Sequence, residues 1–142
     1  MERVPSLADR FVVPQPVVEE ILRVRDDAAA RWLRGPGKQF IRPAVAELTE
    51  LADSEIGSGE RSVISWAAAD RGFIAVLDDR EARVIAKGFG TKIIRTVGVV
   101  LRLKKAGLIS EVKPHLQQIK NAGGYIGDGL LREALRSAGE ES

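Results

Sequence analysis

The residues best placed for chemistry in this sequence are acidic. Asp78 and Asp79 directly follow an unbroken apolar run at 73–77, and ligands in open α/β sheets gather at the carboxyl ends of strands. Glu60 opens the helix predicted before that strand and Glu20 belongs to the first predicted helix, so the fold could bring these acids into one pocket. Clustered carboxylates repel one another unless a cation neutralises them, and oxygen-bound Mg²⁺ or Mn²⁺ is the usual cation.

Each of these acids also has a purely structural explanation. Asp79 is a good N-cap for the helix predicted after it, and Glu60 in a first helical turn is favoured by the helix dipole whatever its function. Glu20 fits equally the pattern of a solvated helix residue, and Glu19 is a weaker alternative to it as a ligand. The active-site interpretation therefore depends on the acids occurring together.

The basic residues are compatible with a polyanionic partner. A formal charge of +2 and a pI near 9.1 permit such a partner without demonstrating one. Five cations near one predicted helix could contact RNA phosphates, although such a run is more often a solvated face: Lys92, Arg95, Arg102, Lys104 and Lys105. Trp32, Trp66 and Tyr125 could stack on bases, with burial in the core or a dimer contact as the alternative for the tryptophans.

Composition excludes several other classes of site. The chain has no cysteine, so it can form neither a disulfide nor a thiolate metal site. Its one histidine, His115, is too few for a catalytic triad or a multi-histidine metal centre. No stretch approaches the ~20 apolar residues of a membrane span, and residues 1–16 lack the apolar region of a secretory signal. A cytoplasmic protein is therefore expected.

Hydrophobic spacing predicts an α/β fold in one globular domain spanning 1–142, with a frayed tail at 139–142. Short β-rich runs lie at 11–13 and 92–94, and five apolar residues without alternation at 73–77 predict a strand covered on both faces by helices. Helical patterns are predicted over these segments: from Pro16, with 26–34 as either an extension of that helix or a second helix anchored by Trp32 and Leu33; from Pro43, with Val45, Leu48, Ala52 and Ile56 as its stripe; and over 60–71, 80–87, 97–106, 111–122 and 128–138.

Four stretches in order resemble the PIN-domain superfamily, specifically a little-characterised branch described as predicted nucleic-acid-binding proteins. They are Val12-Val13-Pro14 leading to Val17-Val18-Glu19-Glu20; Gly59-Glu60-Arg61-Ser62-Val63-Ile64; Val76-Leu77-Asp78-Asp79-Arg80-Glu81-Ala82-Arg83; and the closing segments Arg95-Thr96-Val97-Gly98-Val99-Val100, Lys104-Lys105-Ala106-Gly107-Leu108-Ile109 and Val112-Lys113-Pro114. Arg95-Thr96 replaces the Gly-Thr pair usual in the branch. The likeness runs roughly from Val12 to Leu135 and implies a three-layer α/β/α fold with a short parallel sheet.

One element of the resembling family has no counterpart here. Its members open with a central strand that ends in an aspartate, whereas the eleven residues before Val12 contain no such strand. Either the true start lies upstream of Met1, or the chain is a shortened member that has lost the strand. The first explanation is favoured, because removing a central strand exposes two rows of unpaired backbone groups.

The resemblance implies a metal-dependent ribonuclease of the RNA-processing or toxin type, acting on single-stranded RNA with an incomplete acidic site. Glu20, Glu60 and Asp79 would be the catalytic, metal-binding acids, with Asp78 as an alternative to Asp79. The cofactor would be Mg²⁺ or Mn²⁺, and the partners RNA, an antitoxin-like protein and a second copy in a homodimer. The alternative function is a degenerate, inactive module that binds RNA or protein.

Overall fold

A computed structural model describes residues 3–24, 28–121 and 126–140. The chain divides into two compact units, Met1–Arg95 and Thr96–Ser142, and each is described by itself. None of the helices in the described ranges has both the length and the apolar character needed to cross a bilayer. Tyr125 lies outside the described residues.

Among the residues that the structure describes, the first unit holds four short strands in two parallel pairs. Strand β1 (Val13–Pro14) pairs with β2 (Ile41–Arg42), and β3 (Ile74–Val76) pairs with β4 (Lys92–Ile94). The second ladder continues through the hydrogen bond from Leu77 N–H to the Ile94 carbonyl, at 3.0 Å. The mixed α/β class and the parallel pairing expected from the sequence are confirmed, but the strands form two separate two-stranded sheets.

Four α-helices pack on these strands: α1 (Gln15–Val24), α2 (Ala28–Arg34), α3 (Ser58–Ala69) and α4 (Arg80–Gly88). Short 3-10 turns occur at Val4–Leu7, Pro36–Phe40 and Thr49–Leu51. Helix α3 is central, because it packs against α1, α4 and one strand of each sheet, β1 and β3. Two apolar cores result, one around α3, β3 and α4 and the other around β1, α1 and α2 with Trp32 and Leu33 buried as predicted.

The helix predicted from Pro43 to Ile56 is wrong. Residues 43–48 are not helical, and only the 3-10 turn Thr49–Leu51 forms, with Leu51 buried and Ala52 exposed. Side chains of α3 instead form hydrogen bonds with backbone N–H and carbonyl groups of this segment. Ser65 Oγ accepts from Leu48 N–H at 3.4 Å, and the Arg61 guanidinium donates to the Ile56 carbonyl at 2.7 Å. Tertiary hydrogen bonds have therefore replaced helical ones.

The prediction that the 73–77 strand is covered on both faces is also wrong. Ala75 and Leu77 are buried, but Ile74 and Val76 are 41% and 43% exposed. Side chains of a strand alternate between two faces, so the even-numbered residues define an uncovered face. The unbroken apolar run correctly indicated a strand in a parallel sheet, while cover from helices exists on one face only.

The second unit is a three-helix arrangement of α5 (Thr96–Lys105), α6 (Lys113–Asn121) and α7 (Asp128–Ser137). These agree with the three helical patterns predicted at the end of the chain. Their shared core is aliphatic, with Val112 and Leu116 fully buried and Val97, Val100, Ile126 and Ala134 nearly so.

Glu140 anchors the start of α6. Its carboxylate accepts from the backbone N–H groups of Val112 at 2.8 Å and Lys113 at 3.1 Å, and from the Lys104 ammonium at 2.9 Å. Partial burial acts to raise the pKa of Glu140, but these hydrogen bonds outweigh it and hold the pKa below its ordinary value. Glu140 lies in the tail predicted to fray, yet it is fastened to two other elements.

This network predicts a pH-dependent contribution to stability. A carboxyl whose pKa is lowered by folding stabilises the native state above its unfolded-state pKa and loses that contribution as pH falls through the folded-state value. We expect Glu140→Gln to lower the free energy of unfolding by about 1–3 kcal/mol at neutral pH, and by progressively less below the ordinary pKa of 4.5. Urea unfolding of wild type and variant across this range measures the difference.

The matched control is Glu133→Gln, which changes an exposed glutamate on α7. This control should shift stability by less than about 0.5 kcal/mol at any pH tested. A Glu140→Gln effect of equal size at neutral and acid pH would contradict the assignment.

Candidate active site

The amino terminus of α3 collects two of the four candidate acids. Glu60 occupies the third helical position and its Oε2 accepts from the backbone N–H of Gly57, the N-cap residue, at 2.7 Å. This contact is one half of a capping box, since Gly57 has no side chain to return a bond, and it satisfies a donor that the helix itself cannot pair. Glu60 therefore folds back over the start of its own helix.

Glu20 reaches the same helix start from α1. Its Oε1 accepts from the backbone N–H of Gly59 at 2.9 Å and from the Ser58 hydroxyl at 3.1 Å. The approach requires a glycine, because a Cβ on Gly59 would stand 2.6 Å from Glu20 Oε2. Glu20 thus joins two helices that are far apart in sequence.

The two glutamates converge on one point. Glu20 Oε1 and Glu60 Oε2 each lie 3.3 Å from the place where a Cβ on Gly57 would stand. Both carboxylates face the partially positive end of α3, whose free N–H groups offset part of their mutual repulsion. Among the described residues, no hydrogen bond goes to Glu20 Oε2 or Glu60 Oε1, which leaves one oxygen of each for another ligand.

Asp78 and Asp79 follow β3 at its carboxyl end, as the sequence predicted. Asp79 is the N-cap of α4, and its Oδ2 accepts from Ala82 N–H at 2.9 Å. Both aspartates are exposed. Within the described ranges, no three acidic or histidine side chains stand close enough together to hold a metal ion. The structure therefore brings Glu20 and Glu60 together but does not assemble Asp79 with them into a three-ligand group.

Of the two candidate cations in the first unit, Arg95 lies at the same end of the β3–β4 pair as the aspartates. Val76 and Ile94 are register partners in the β3–β4 pair, so Arg95 comes one step further, at the edge where Asp78 begins. Its Nε is buried and finds no hydrogen-bond partner in the described part of the chain. Lys92 is exposed at the opposite, amino end of β4.

The other three candidate cations belong to α5 in the second unit. Arg102 and Lys105 are exposed. The Lys104 ammonium is already bound, to Glu140 at 2.9 Å and to the Ala138 carbonyl, so its charge is offset within this unit.

A family model described as a PIN domain matches residues 1–140. The chain belongs to the PIN-domain family. This confirms the resemblance found in the sequence, and the match spans both compact units. No curated protein and no solved structure gives a match to the chain. Membership indicates a nuclease-like fold, and PIN domains generally use divalent metals.

The acids of this PIN domain suit Mg²⁺ or Mn²⁺ bound in an open site rather than in a site enclosed entirely by protein ligands. Mg²⁺ in proteins is commonly held by one or two carboxylates, with water and substrate phosphate completing its shell. Glu20 and Glu60 supply two carboxylates from helix positions, and one oxygen of each accepts no hydrogen bond from the residues that the structure describes. The donor set therefore fits a divalent ion that is shared with substrate.

Sequence reasoning missed the partners that hold Glu20. Ser58 and Gly59 position its carboxylate, whereas the family resemblance includes Gly59-Glu60 but gives neither Ser58 nor Gly59 this role. The sequence feature that indicates this contact is the stretch Gly57-Ser58-Gly59-Glu60. Its small residues leave the N–H groups at the start of the helix accessible to an acidic side chain from another part of the chain. No local pattern could have identified which acid that is.

The Glu20 contacts predict a difference between two neighbouring glutamates of α1. Glu20→Ala removes the acceptor for Gly59 N–H and Ser58, so we expect it to lower the free energy of unfolding by about 1–2 kcal/mol. Glu19→Ala changes an exposed residue and should cost less than about 0.5 kcal/mol. Urea denaturation followed by circular dichroism makes the comparison, and equal losses in the two variants would rule out the helix-capping role of Glu20.

Proposed function

We propose that this PIN domain, a single domain across residues 1–142, is a divalent-metal-dependent ribonuclease that hydrolyses phosphodiesters of single-stranded RNA, of the RNA-processing or toxin type. The observation that carries the proposal is the convergence of Glu20 and Glu60 at the start of α3. Family membership supports the reaction class. The absence of cysteine suits a reducing cytoplasm.

In the proposed site, Glu20 and Glu60 would hold Mg²⁺ or Mn²⁺, and Asp79, or Asp78 beside it, would be a further ligand from the end of β3. A divalent ion bound there would supply Lewis-acid activation of water and charge stabilisation at the phosphate. Gly59 N–H and the Ser58 hydroxyl fix the Glu20 carboxylate, while Gly57 N–H fixes that of Glu60. These donors orient both acids before any ligand arrives, which reduces the reorganisation that binding requires.

The five candidate cations differ in the contribution that each is proposed to make to RNA binding. Arg95 lies at the same sheet edge as the aspartates, and its guanidinium is proposed to pair with an RNA phosphate. Lys92, Arg102 and Lys105 are exposed and would add sequence-independent, salt-dependent affinity. Lys104 is the weakest of the proposed RNA contacts, because Glu140 already binds its ammonium.

A second candidate function is an inactive module that binds RNA or protein. It is favoured by the structural duties of the acids: Glu20, Glu60 and Asp79 all accept hydrogen bonds from helix N-termini. It is also favoured by the lack of a three-acid group in the described ranges. Under either function, a homodimer and an antitoxin-like partner are proposed, and the uncovered face of β3 with Ile74 and Val76 is an apolar surface available for such contacts.

Replacing the acids with amides of the same shape separates their proposed catalytic role from their structural role as hydrogen-bond acceptors. Asn is as good an N-cap as Asp, and Gln can take the place of Glu in a capping box. Asp79→Asn and Glu60→Gln should therefore keep stability within about 0.5 kcal/mol of wild type. For a ribonuclease, we expect each variant to lose at least about 100-fold in Mn²⁺-dependent cleavage of single-stranded RNA, since a metal ligand is removed.

The matched control is Glu81→Gln, which changes an exposed acid in the first turn of α4 and should leave cleavage within about two-fold of wild type. EDTA should abolish cleavage by wild type. If wild type cleaves and Asp79→Asn cleaves equally well, Asp79 is removed from the mechanism. If wild type binds RNA without cleaving it, the inactive-module function is favoured.

A further inference from the structure

The aromatic residues of this chain are concentrated at one cleft. The sequence has only seven aromatics (four Phe, two Trp and one Tyr), and four of them line a cleft of about 370 Å³ in the first unit: Phe11, Phe40, Trp66 and Phe73. All four are half-buried, whereas the cores are mostly aliphatic. The volume falls within the range of about 300–1,000 Å³ typical of small-ligand sites.

The cleft lies at the amino ends of the strands, away from the acids at the carboxyl end of β3. Phe11 comes just before β1, Phe40 just before β2 and Phe73 just before β3. Asp78 is five residues after Phe73, which corresponds to about 16 Å along an extended strand. The cleft is therefore distinct from the proposed catalytic site, although both belong to the same compact unit.

The rings on one side of the cleft are held rigidly. The Trp66 indole N–H donates to the Pro43 carbonyl at 3.2 Å, and the Trp66 and Phe73 rings meet edge to face at 5.8 Å. The Arg10 guanidinium lies 4.3 Å from the centroid of the Phe73 ring and pairs with Asp70 at 2.9 Å. The Arg10 guanidinium over the ring face adds a planar cation to the aromatic surface, and Asp70 pairs with it.

The other side is equally fixed. Trp32 stacks on Phe40 with ring centroids 5.8 Å apart, and Phe11 meets the Phe40 ring edge to face at 5.4 Å. Arg42 also lines the cleft, and its guanidinium donates to the Gln39 carbonyl at 2.8 Å and to the Ile41 carbonyl at 2.9 Å. Both sides thus present aromatic rings beside an arginine whose orientation is set by hydrogen bonds.

We propose that this aromatic cleft binds a nucleobase of single-stranded RNA. Fixed rings and planar guanidinium groups are the surfaces on which unpaired bases stack. Of the charged side chains that line the cleft in the described ranges, two are arginines and one is Asp9, so stacking contributes more than net charge does. The inference rests on the proposed RNA substrate and adds to it a subsite that holds a nucleotide away from the scissile bond.

Fluorescence anisotropy of a 12-nucleotide, fluorescein-labelled single-stranded RNA in EDTA tests the cleft without cleavage. Phe73→Leu keeps apolar volume but removes a ring, and we expect it to weaken RNA binding at least about five-fold, the scale of one lost base stack. The matched control is Phe89→Leu, another half-buried phenylalanine, which packs against the α3 core outside the cleft lining. It should change affinity by less than about two-fold.

A second pair of variants covers the case in which Phe73→Leu fails to fold by circular dichroism. Arg42→Gln should weaken RNA binding by about three-fold or more, while Arg31→Gln, an exposed arginine on α2, should not. Unchanged affinity in the folded cleft variants, or equal losses in the controls, overturns the inference. So does a cleft that captures a short extended apolar peptide without competition from RNA.

The results also separate this inference from the proposed activity. Mn²⁺-dependent cleavage that depends on Glu60, together with unchanged RNA affinity in Phe73→Leu, leaves the ribonuclease proposal standing and removes the cleft. Weakened RNA affinity in Phe73→Leu with no cleavage by wild type supports the cleft and removes the nuclease. Failure of wild type to bind RNA at all overturns both.

Discussion

The unpaired N–H groups at the start of α3 are the constraint on which the first unit depends. A helix cannot satisfy these donors internally, and here Glu60 and Glu20 satisfy two of them. Because α3 also packs against α1 and against one strand of each sheet, the contact from Glu20 fixes the relation of α1 to the element that supports both sheets. The same contacts set the geometry of the candidate active site.

The amino terminus of α3 weakens the inference that two neighbouring carboxylates require a metal ion. Two carboxylates brought together in water-poor surroundings repel, and a divalent ion is one remedy. A helix amino terminus is another, since its N–H groups and dipole favour negative charge. Glu20 and Glu60 use the second remedy in the structure, so their proximity alone does not demand a cation. Glu20 Oε2 and Glu60 Oε1 accept no hydrogen bond within the described ranges, and these oxygens leave metal binding chemically possible.

The first unit has different chemistry at the two ends of its strands. Asp78, Asp79 and Arg95 lie at the carboxyl end of the β3–β4 pair, whereas aromatic rings and two other arginines lie at the amino ends. Helix α3 joins the Glu20–Glu60 pair to the aromatic cleft, with Glu60 in its first turn and Trp66 in its last turn. A rigid helix of this kind holds the two sites at a constant separation, which suits recognition of a chain-like ligand at more than one point.

Local pattern in the sequence was sufficient for most of the helices, for β4 and for the Asp79 cap, because helix periodicity, caps and apolar runs act between near neighbours. The family came instead from the resemblance of several stretches in order. Local pattern was misleading at 43–56, where α3 side chains replaced helical hydrogen bonds, and at β3, where Ile74 and Val76 are exposed. Only the tertiary structure decided that Glu20, rather than Glu19, meets Glu60, and that scattered aromatics share one cleft. Such pairings join residues tens of positions apart, and their geometry depends on packing that no local spacing encodes.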